Sequence, residues 1–315
     1  MSLKFAEYIS GLNQYRRFAG LAETGRLLRS ILACKLGWTL EKGAERTLRR
    51  WAFFRDVRQD ASLRMFRVQT DEVRVCCSGQ GGKATRLEVA LRDPECGSSD
   101  PLAFRQVLLQ RDYGQVLDWF CQSGASKDIK TVLDVGANIG CSALFFCLRL
   151  PAPDIFCLEP DESNYARLQL NLSLNPGLGI RSFQAALWTR SGSLNCPQDL
   201  RDGNEWGCRF IEGAIPSVSK PRTVAAINIT ELQEMSGFGQ VDFLKLDIEG
   251  AEADLFKSDP FLLFLRDKVR CLAVEVHEEF IKIGETRSIL SSLGFQTTVI
   301  SEFVCGVKVQ QTGKA

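Results

Sequence analysis

The segment Thr131–Gly140, TVLDVGANIG, decides the fold of this chain. Its apolar run ends at Asp134. The loop that follows contains Gly136, Asn138 and Gly140 and leads directly into a helical pattern. Glycines let the backbone approach a ligand closely, and the first turn of a helix presents unpaired N–H groups and a positive end. The segment therefore predicts a strand, a glycine loop and a helix that together bind a nucleotide-like ligand.

The acid at the end of this run separates two classes of ligand. Dinucleotide-binding folds usually end the first strand with an apolar residue and use glycines in the pattern G-x-G-x-x-G. Here Asp134 precedes G-x-N-x-G, which places a carboxylate near a cationic group of the ligand. S-adenosylmethionine, with its ammonium and sulfonium groups, fits this arrangement better. A nicotinamide or flavin oxidoreductase is the disfavoured alternative.

Strand and helix patterns alternate from this segment to LAVEVH, as in a doubly wound, mostly parallel α/β sheet. The third strand is expected over RSFQAALW. An irregular insertion follows it, at 191–221, and such an insertion usually lines a site. Two later runs, FQTTVIS and VCGVKVQ, are close enough in sequence to pair antiparallel.

The second strand, DIFCLEP, ends at Glu159, 25 residues beyond Asp134. Doubly wound folds supply an acid at about this distance to the ribose hydroxyls of a bound nucleotide. Glu159 is therefore a candidate ribose ligand. A carboxylate that only stabilises the start of the next helix is the alternative.

Charged residues follow the fourth and fifth strands of the alternation. In VDFLKLDIEGAE, Lys245, Asp247 and Glu249 lie two residues apart and share one side of the chain as far as it stays extended. LAVEVH repeats this spacing with Glu275 and His277. We expect Lys245 to pair with Glu275, and Asp247 and His277 to meet at the carboxyl ends of adjacent strands. A hydrogen-bonded residue at the entry to a helix is the alternative for His277.

The amino-terminal part differs in charge from the rest. Residues 1–60 carry 12 basic and 6 acidic side chains and show a helical period, with breaks expected at Gly37 and Gly43. Short alternating runs then predict a small β unit. We expect three parts: a basic helical segment at 1–60, a β/α lead-in at 61–125, and a cofactor-binding domain at 126–315. The basic helices suggest a lid over the acceptor, a homodimer surface or a peripheral membrane contact. Their charge also makes an RNA methyltransferase an alternative function. No DNA partner is expected.

Composition and processing signals predict a cytoplasmic location. The chain has 315 residues, of which 45% are hydrophobic and 24% charged. No apolar run approaches the roughly 18 residues needed to span a bilayer, and no secretory signal is visible. The twelve cysteines include no C-x-x-C pair, and His277 is the single histidine, so a zinc site is not expected.

Five motifs resemble those of the FkbM-type S-adenosylmethionine-dependent methyltransferases: TVLDVGANIG, IFCLEPDESNYARLQLNLSLN, QAALW, VDFLKLDIEGAE and LAVEVH. The resemblance implies a class I methyltransferase (Rossmann-like) sheet with an antiparallel carboxyl-terminal strand. It also implies O-methylation of a hydroxyl on a natural product or saccharide. The cofactor contacts that it implies are Asp134, Gly136, Ala137, Asn138, Gly140, Glu159, Pro160, Ala185 and Ala186, with Tyr113 in the segment before the first strand.

Methyl transfer to a hydroxyl needs alignment of two atoms and a group that takes the proton. Asp247 and His277 are the first candidates for this group, and Glu249 is the second. A divalent metal held by carboxylates is an alternative that the sequence leaves open. The acceptor depends on Asn204–Phe210 and on the amino-terminal region, where the resemblance is weakest.

Overall fold

The computed structural model describes residues 3–36, 39, 44–68, 72–79, 86–93, 98–123, 129–196, 209–213 and 222–308. The chain divides into two compact units, Met1–Leu109 and Gln110–Ala315. Each unit is described by itself below. The three-part division expected from the sequence stays a prediction.

The first unit combines helices with an antiparallel three-stranded sheet of order β1-β2-β3. A left-handed residue, Gly20 (φ +85°), interrupts the first helix. The predicted breaks at Gly37 and Gly43 lie outside the described residues. The elements are α1 Leu3–Leu36, α2 Ala44–Gln59, β1 Leu63–Val68, β2 Glu72–Ser78, β3 Arg86–Arg92, α3 Asp100–Phe104 and a π-helical turn, Arg105–Gln110.

Two features fasten the helices of this unit. Tyr15 of α1 packs against Trp51 of α2, with ring centroids 5.2 Å apart. Arg50 of α2 donates to both carboxylate oxygens of Asp93, at 2.6–3.0 Å, and both residues are buried. A bidentate pair of this kind fixes orientation as well as distance. It therefore holds α2 to the end of β3.

The second unit contains a seven-stranded sheet. Its elements are α4 Asp112–Gln122, β4 Thr131–Val135, α5 Cys141–Arg149, β5 Asp154–Leu158, α6 Glu162–Ser173, β6 Ile180–Phe183, β7 Ala186–Leu187, β8 Gly192–Cys196, β9 Arg222–Ile227, α7 Ile229–Ser236, β10 Val241–Leu246, α8 Glu252–Leu255, α9 Asp259–Lys268, β11 Val269–Glu275, α10 Ile283–Ser292, β12 Phe295–Ile300 and β13 Phe303–Lys308. The strand order is β12-β13-β11-β10-β4-β5-β6, and only β13 runs antiparallel to its neighbours. The predicted class I, mostly parallel sheet is confirmed.

The central strands are apolar because both faces of the sheet are covered. On one face, Leu244 of β10 packs in a buried cluster that includes Phe261 of α9. On the other face, Phe243 packs edge-on against Phe120 and Phe146, with ring centroids 5.5 and 5.2 Å apart. The charged residues buried among these strands therefore need partners within the protein.

The third strand is shorter than its sequence pattern predicts. The run RSFQAALW divides after Phe183, and Ala186–Leu187 leaves the main sheet to pair with β9. Together with β8, from the insertion, and β9, directly after it, this segment forms a second, three-stranded sheet of order β7-β9-β8. One strand prediction over the whole run was wrong because alternation alone does not show where a chain changes sheets.

Cysteines serve mainly as core residues in the described part of the chain. Cys141, Cys157 and Cys271 are buried, and Cys147 is half-buried. Their thiols are free, whereas Cys196 is disulfide-bonded. Among the described helices, none is long and apolar enough to cross a membrane.

Candidate active site

The glycine loop lies between β4 and α5 and approaches the end of β10 closely. Gly136 has φ +81°, and a Cβ added there would lie 1.7 Å from the carbonyl oxygen of Asp247. Gly140 has φ +90°, and its added Cβ would lie 2.6 Å from the side chain of Leu168. A Cβ at Gly136 would collide with the backbone of Asp247, and both positions have a positive φ that residues with a side chain rarely adopt. This explains why both must be glycine.

A buried ion pair fixes the base of this loop. Lys245 Nζ lies 3.2 Å from Asp134 Oδ1 and donates to the carbonyl oxygen of Gly136 at 2.7 Å. The other carboxylate oxygen of Asp134 accepts from the Ser142 hydroxyl at 2.5 Å. One carboxylate thus links β4 to β10 and to the first turn of α5. Its contact with the cofactor stays a prediction.

The expected pair between Lys245 and Glu275 is wrong. In the parallel register, Lys245 lies opposite Asp134 on one side and opposite Ala273 on the other. Glu275 is two residues further along β11, and the described residues include no ion pair between it and Lys245. Burial, together with repulsion from Asp247, raises the pKa of Glu275 to about 9. Glu275 is therefore protonated at neutral pH.

Glu159 follows β5 and organises the loop from the opposite side. Its Oε2 accepts from the backbone N–H of Asn138 at 2.8 Å, and its Oε1 accepts from the N–H of Asp161 at 2.9 Å. Each carboxylate oxygen has a second lone pair for a further donor. Burial raises the pKa of Glu159 to about 7, although both backbone hydrogen bonds oppose the shift.

These groups fit an S-adenosylmethionine ligand. Asn138 has the left-handed backbone (φ +51°) that turns the loop, and its Oδ1 is buried with no hydrogen-bond partner. A ligand that carries ammonium and hydroxyl donors would satisfy Asn138 Oδ1 and the remaining lone pairs of Glu159. The N-terminus of α5 adds backbone N–H groups and the positive end of the helix dipole at the same loop.

The other residues suggested as cofactor contacts surround this loop. Ala137 is buried, and its N–H donates to Leu158 O at 2.9 Å. Pro160 directly follows Glu159, and Ala185 and Ala186 lie buried after β6. Tyr113, in α4, is buried, with its ring centroid 5.0 Å from that of Phe303. The direct contact of each with the cofactor stays a prediction.

Four titratable side chains meet beyond the ends of β10 and β11. Asp247 Oδ2 lies 3.4 Å from Lys245 Nζ. His277 lies between two carboxylates: its Nε2 is 3.4 Å from Glu249, and its Nδ1 is 3.5 Å from Glu252. The expected meeting of Asp247 and His277 is observed, because a side-chain atom of each lies within 4.8 Å of the other. Glu249 does not continue the extended chain, because its φ of +58° places it in a tight turn.

Glu252 is a site residue that the sequence analysis missed. It is fully buried, and its Oε1 accepts from the N–H of Ile248 at 2.7 Å, which closes the turn between β10 and α8. The signal was present as the last acid of the K-x-D-x-E-G-A-E run. Strand spacing could not identify it, because the chain is no longer extended there.

The two glutamates determine the charge of His277. Burial alone disfavours the protonated ring, but the nearby carboxylates of Glu249 and Glu252 outweigh this effect and raise the pKa of His277 to about 11. His277 is therefore an imidazolium at neutral pH.

Three side chains at this edge have the spacing of a metal site. Asp247, Glu275 and His277 each offer one ligand atom, and these atoms lie within 4.8 Å of one another. A charged ring and a protonated Glu275 oppose this use, because metals bind the deprotonated forms.

Arg209, within the insertion, lies against this turn. The Arg209 guanidinium stacks on the ring of Phe280 at 3.9 Å and donates to Asp254 at 2.8 Å. Phe280 in turn covers Gly250, where an added Cβ would lie 2.1 Å from the ring. Arg209 and Phe210 belong to the segment expected to bind the acceptor, and its residues 204–208 lie outside the described part.

Comparison with known proteins agrees with this geometry. The Methyltransferase FkbM domain matches residues 134–297. Methyltransferase sdnD of Sordaria araneosa is 28% identical over 193 residues, 53% of this chain and 74% of that protein. The 2-O-methyltransferase NoeI of Sinorhizobium fredii is 26% identical over 199 residues, 58% of this chain and 78% of that protein.

Among solved structures, magnesium protoporphyrin IX methyltransferase from Synechocystis PCC 6803, with bound SAM, is similar at 14% identity and a TM-score of 0.38. This likeness covers 64% of this chain and 79% of that one. The fold assignment rests on the strand order, and the family assignment on the domain match, which spans just over half of the chain. The chain belongs to the FkbM family of S-adenosylmethionine-dependent methyltransferases.

Proposed function

We propose that this protein methylates a hydroxyl oxygen on a saccharide or another hydroxylated natural product. The observation that carries the proposal is the group of Asp247, Glu249 and His277 at the carboxyl ends of β10 and β11, beside the glycine loop. Open α/β sheets bind their reactants at this edge. The similarity to NoeI, which is named as a 2-O-methyltransferase, supports oxygen as the acceptor atom.

The cofactor in this proposal lies across the glycine loop. Glu159 accepts from the ribose hydroxyls, Asn138 offers its unpaired Oδ1, and Ala185 and Ala186 lie beside the adenine. When bound, S-adenosylmethionine supplies an electrophilic methyl group, so the acceptor oxygen bonds to carbon while the carbon–sulfur bond breaks and S-adenosylhomocysteine leaves.

Asp247 is the proposed proton acceptor. His277 already carries its proton at neutral pH and cannot take a second, so the sequence-based choice between the two shifts toward Asp247. A quarter of the Asp247 side chain is exposed, whereas His277 is 12% exposed, which leaves Asp247 the more accessible to an acceptor. Glu249 is the second candidate.

His277 acts as a positioning residue in this account. Its positive ring balances Glu249 and Glu252 and thereby holds the turn that carries Asp247. Asp134 and Lys245 hold the other end of the same segment against the glycine loop. The proton acceptor therefore projects from a backbone that is fixed on both sides.

Two measurements test this function. S-adenosylhomocysteine should raise the melting temperature while NAD does not, because a ligand that binds only the folded state stabilises it by mass action. The protein should then transfer a labelled methyl group to members of a panel of saccharides and polyketide alcohols. Nuclear magnetic resonance of the product should place the methyl on oxygen. Methyl transfer to RNA or to nitrogen, with none to a hydroxyl, would contradict the proposal.

A further inference from the structure

A cavity of about 720 Å³ lies in the first unit, between helices α1 and α2 and the three-stranded sheet. Cavities of roughly 300–1,000 Å³ commonly hold small molecules. This one belongs to the part of the chain that precedes the matched domain. The lining residues that carry the argument are Arg17, Arg58, Arg64 and Arg86, with Phe54 and Leu63 on its apolar wall.

The charge of this cavity is strongly one-sided. Among the described residues that line it, four are arginines and one, Asp60, is an acid. Asp60 Oδ1 accepts hydrogen bonds from both the N–H and the hydroxyl of Ser62, at 2.8 and 2.6 Å. This carboxylate oxygen therefore points toward the turn before β1. The cavity therefore has more guanidinium groups than its own carboxylate can neutralise.

Several arginines elsewhere in this unit have acidic partners. Arg50 pairs with Asp93 at 2.6 Å, Arg92 with Asp100 at 2.6 Å, and Arg74 with both Glu72 and Glu88. In contrast, Arg17, Arg64 and Arg86 form no ion pair with any described residue. Arg86 instead donates to the Cys76 sulfur at 2.9 Å. These three arginines, which have no acidic partner among the described residues, all line the cavity.

The Arg58 side chain lies close to the backbone of α1. A Cβ added at Gly11 of α1 would lie 2.6 Å from Nη1 of Arg58, so a side chain at Gly11 would displace this guanidinium. Buried apolar surface at the same cavity comes from Phe54, one turn before Arg58 on α2, from Val57, the residue before Arg58, and from Leu63 of β1. The cavity thus combines a cationic rim with an apolar wall.

We propose that this cavity binds a ligand that carries a phosphate or pyrophosphate group joined to an apolar part. Guanidinium groups match phosphate oxygens bidentately, and several of them together favour an anion with more than one charge. The apolar wall provides a surface for the rest of the ligand. Two sources share this chemistry: a soluble phosphate ester and the head group of an anionic lipid.

Calorimetry on the full-length protein tests the site with inorganic pyrophosphate and geranyl pyrophosphate, which share one head group and differ in the apolar chain. We expect geranyl pyrophosphate to bind at least tenfold more tightly. The double variant Arg64→Gln/Arg86→Gln should weaken its binding more than tenfold. The control Arg16→Gln/Arg55→Gln removes the same charge from exposed arginines that do not line the cavity, and should bind like the wild type.

Flotation with vesicles distinguishes the two sources. Binding to phosphatidic acid vesicles but not to phosphatidylcholine, lost in Arg64→Gln/Arg86→Gln and kept in the control, assigns the head group of a lipid. Binding of geranyl pyrophosphate in solution without vesicle binding assigns a soluble ester. If the double variant fails to fold, the single variant Arg17→Gln, on the exposed side of α1, is used in its place. It should also weaken the binding of geranyl pyrophosphate more than tenfold.

Several results would overturn the proposal. One is that neither pyrophosphate binds at millimolar concentration and the protein does not bind vesicles. Another is that the site variant and its charge-matched control lose the same amount of affinity for geranyl pyrophosphate. Tight binding of single-stranded RNA that both double variants weaken alike would also overturn it, since that pattern indicates a diffuse basic surface.

Discussion

Lys245 and Asp134 lie directly opposite each other on the neighbouring parallel strands β10 and β4, with 3.2 Å between Nζ and Oδ1. Both side chains are buried, so each charge depends on the other for compensation. Lys245 also holds the carbonyl of Gly136. The pair therefore couples the stability of the sheet to the shape of the glycine loop.

We expect Lys245→Met to reduce the free energy of unfolding by about 3–5 kcal/mol, because it leaves the carboxylate of Asp134 buried without its cation. Adding Asp134→Asn should recover part of this loss. Denaturant melts of both single variants and the double variant measure the coupling.

Glu275→Gln provides the matched comparison for this cycle. Its effect should add to that of Lys245→Met within about 0.5 kcal/mol, as for residues that do not interact directly. A coupling to Glu275 as large as that to Asp134 would show that the assignment of the ion pair is wrong.

The affinity for S-adenosylhomocysteine should depend on pH through Glu159. The pKa of this buried carboxyl is about 7, and the ribose hydroxyls donate best to its ionised form. Below pH 7 binding must release a proton, so affinity should fall by up to about tenfold for each pH unit. Calorimetry in two buffers of different ionisation enthalpy detects the proton, and constant affinity from pH 6 to 8 would contradict this role.

His277 should make stability fall with rising pH. The pKa of its ring is about 11 in the folded protein against an ordinary value of 6.5. Since the folded value is the higher one, its contribution to stability is complete below pH 6.5 and is lost as pH rises toward 11. The stability advantage of the wild type over His277→Gln should therefore be larger at pH 6 than at pH 9 in urea melts. An equal difference at both pH values would show that the ring is not held as an imidazolium.

Asp247→Asn should lower turnover by about 10²–10⁴ and leave the affinity for S-adenosylhomocysteine nearly unchanged, as for loss of a proton acceptor. Asp118→Asn, on the exposed surface of α4, is the matched control and should retain full turnover. Normal turnover in a folded Asp247→Asn protein would transfer the role to Glu249, which Glu249→Gln then tests.

Chelation separates the carboxylate mechanism from a metal-assisted one. We expect turnover to persist after treatment with EDTA, because a carboxylate can take the hydroxyl proton without a Lewis acid. Loss of turnover that magnesium or manganese restores would instead make Asp247 and Glu275 ligands of a divalent cation.

The alternation of apolar runs and helical periods predicted the sheet, because buried parallel strands have few alternatives to a continuous apolar sequence. The position of Glu159 could be predicted for the same reason, since an acid that follows a buried strand must emerge at the carboxyl edge. The division of RSFQAALW between two sheets could not, because both halves satisfy the same strand pattern.

The sequence by itself determined that Asp134, Lys245, Asp247 and His277 lie at or near the carboxyl edge of the sheet, because local periodicity places each of them at a strand end. Only the tertiary structure decided their partners. β10 lies between β4 and β11, so Lys245 had an acid available on either side, and the register brings Asp134 level with it while Glu275 lies two residues beyond. Glu252 reaches His277 because the chain turns sharply after Asp247. Ion pairs act over a few ångströms, and that distance is set by strand order, register and turns, which residue spacing along one chain does not contain.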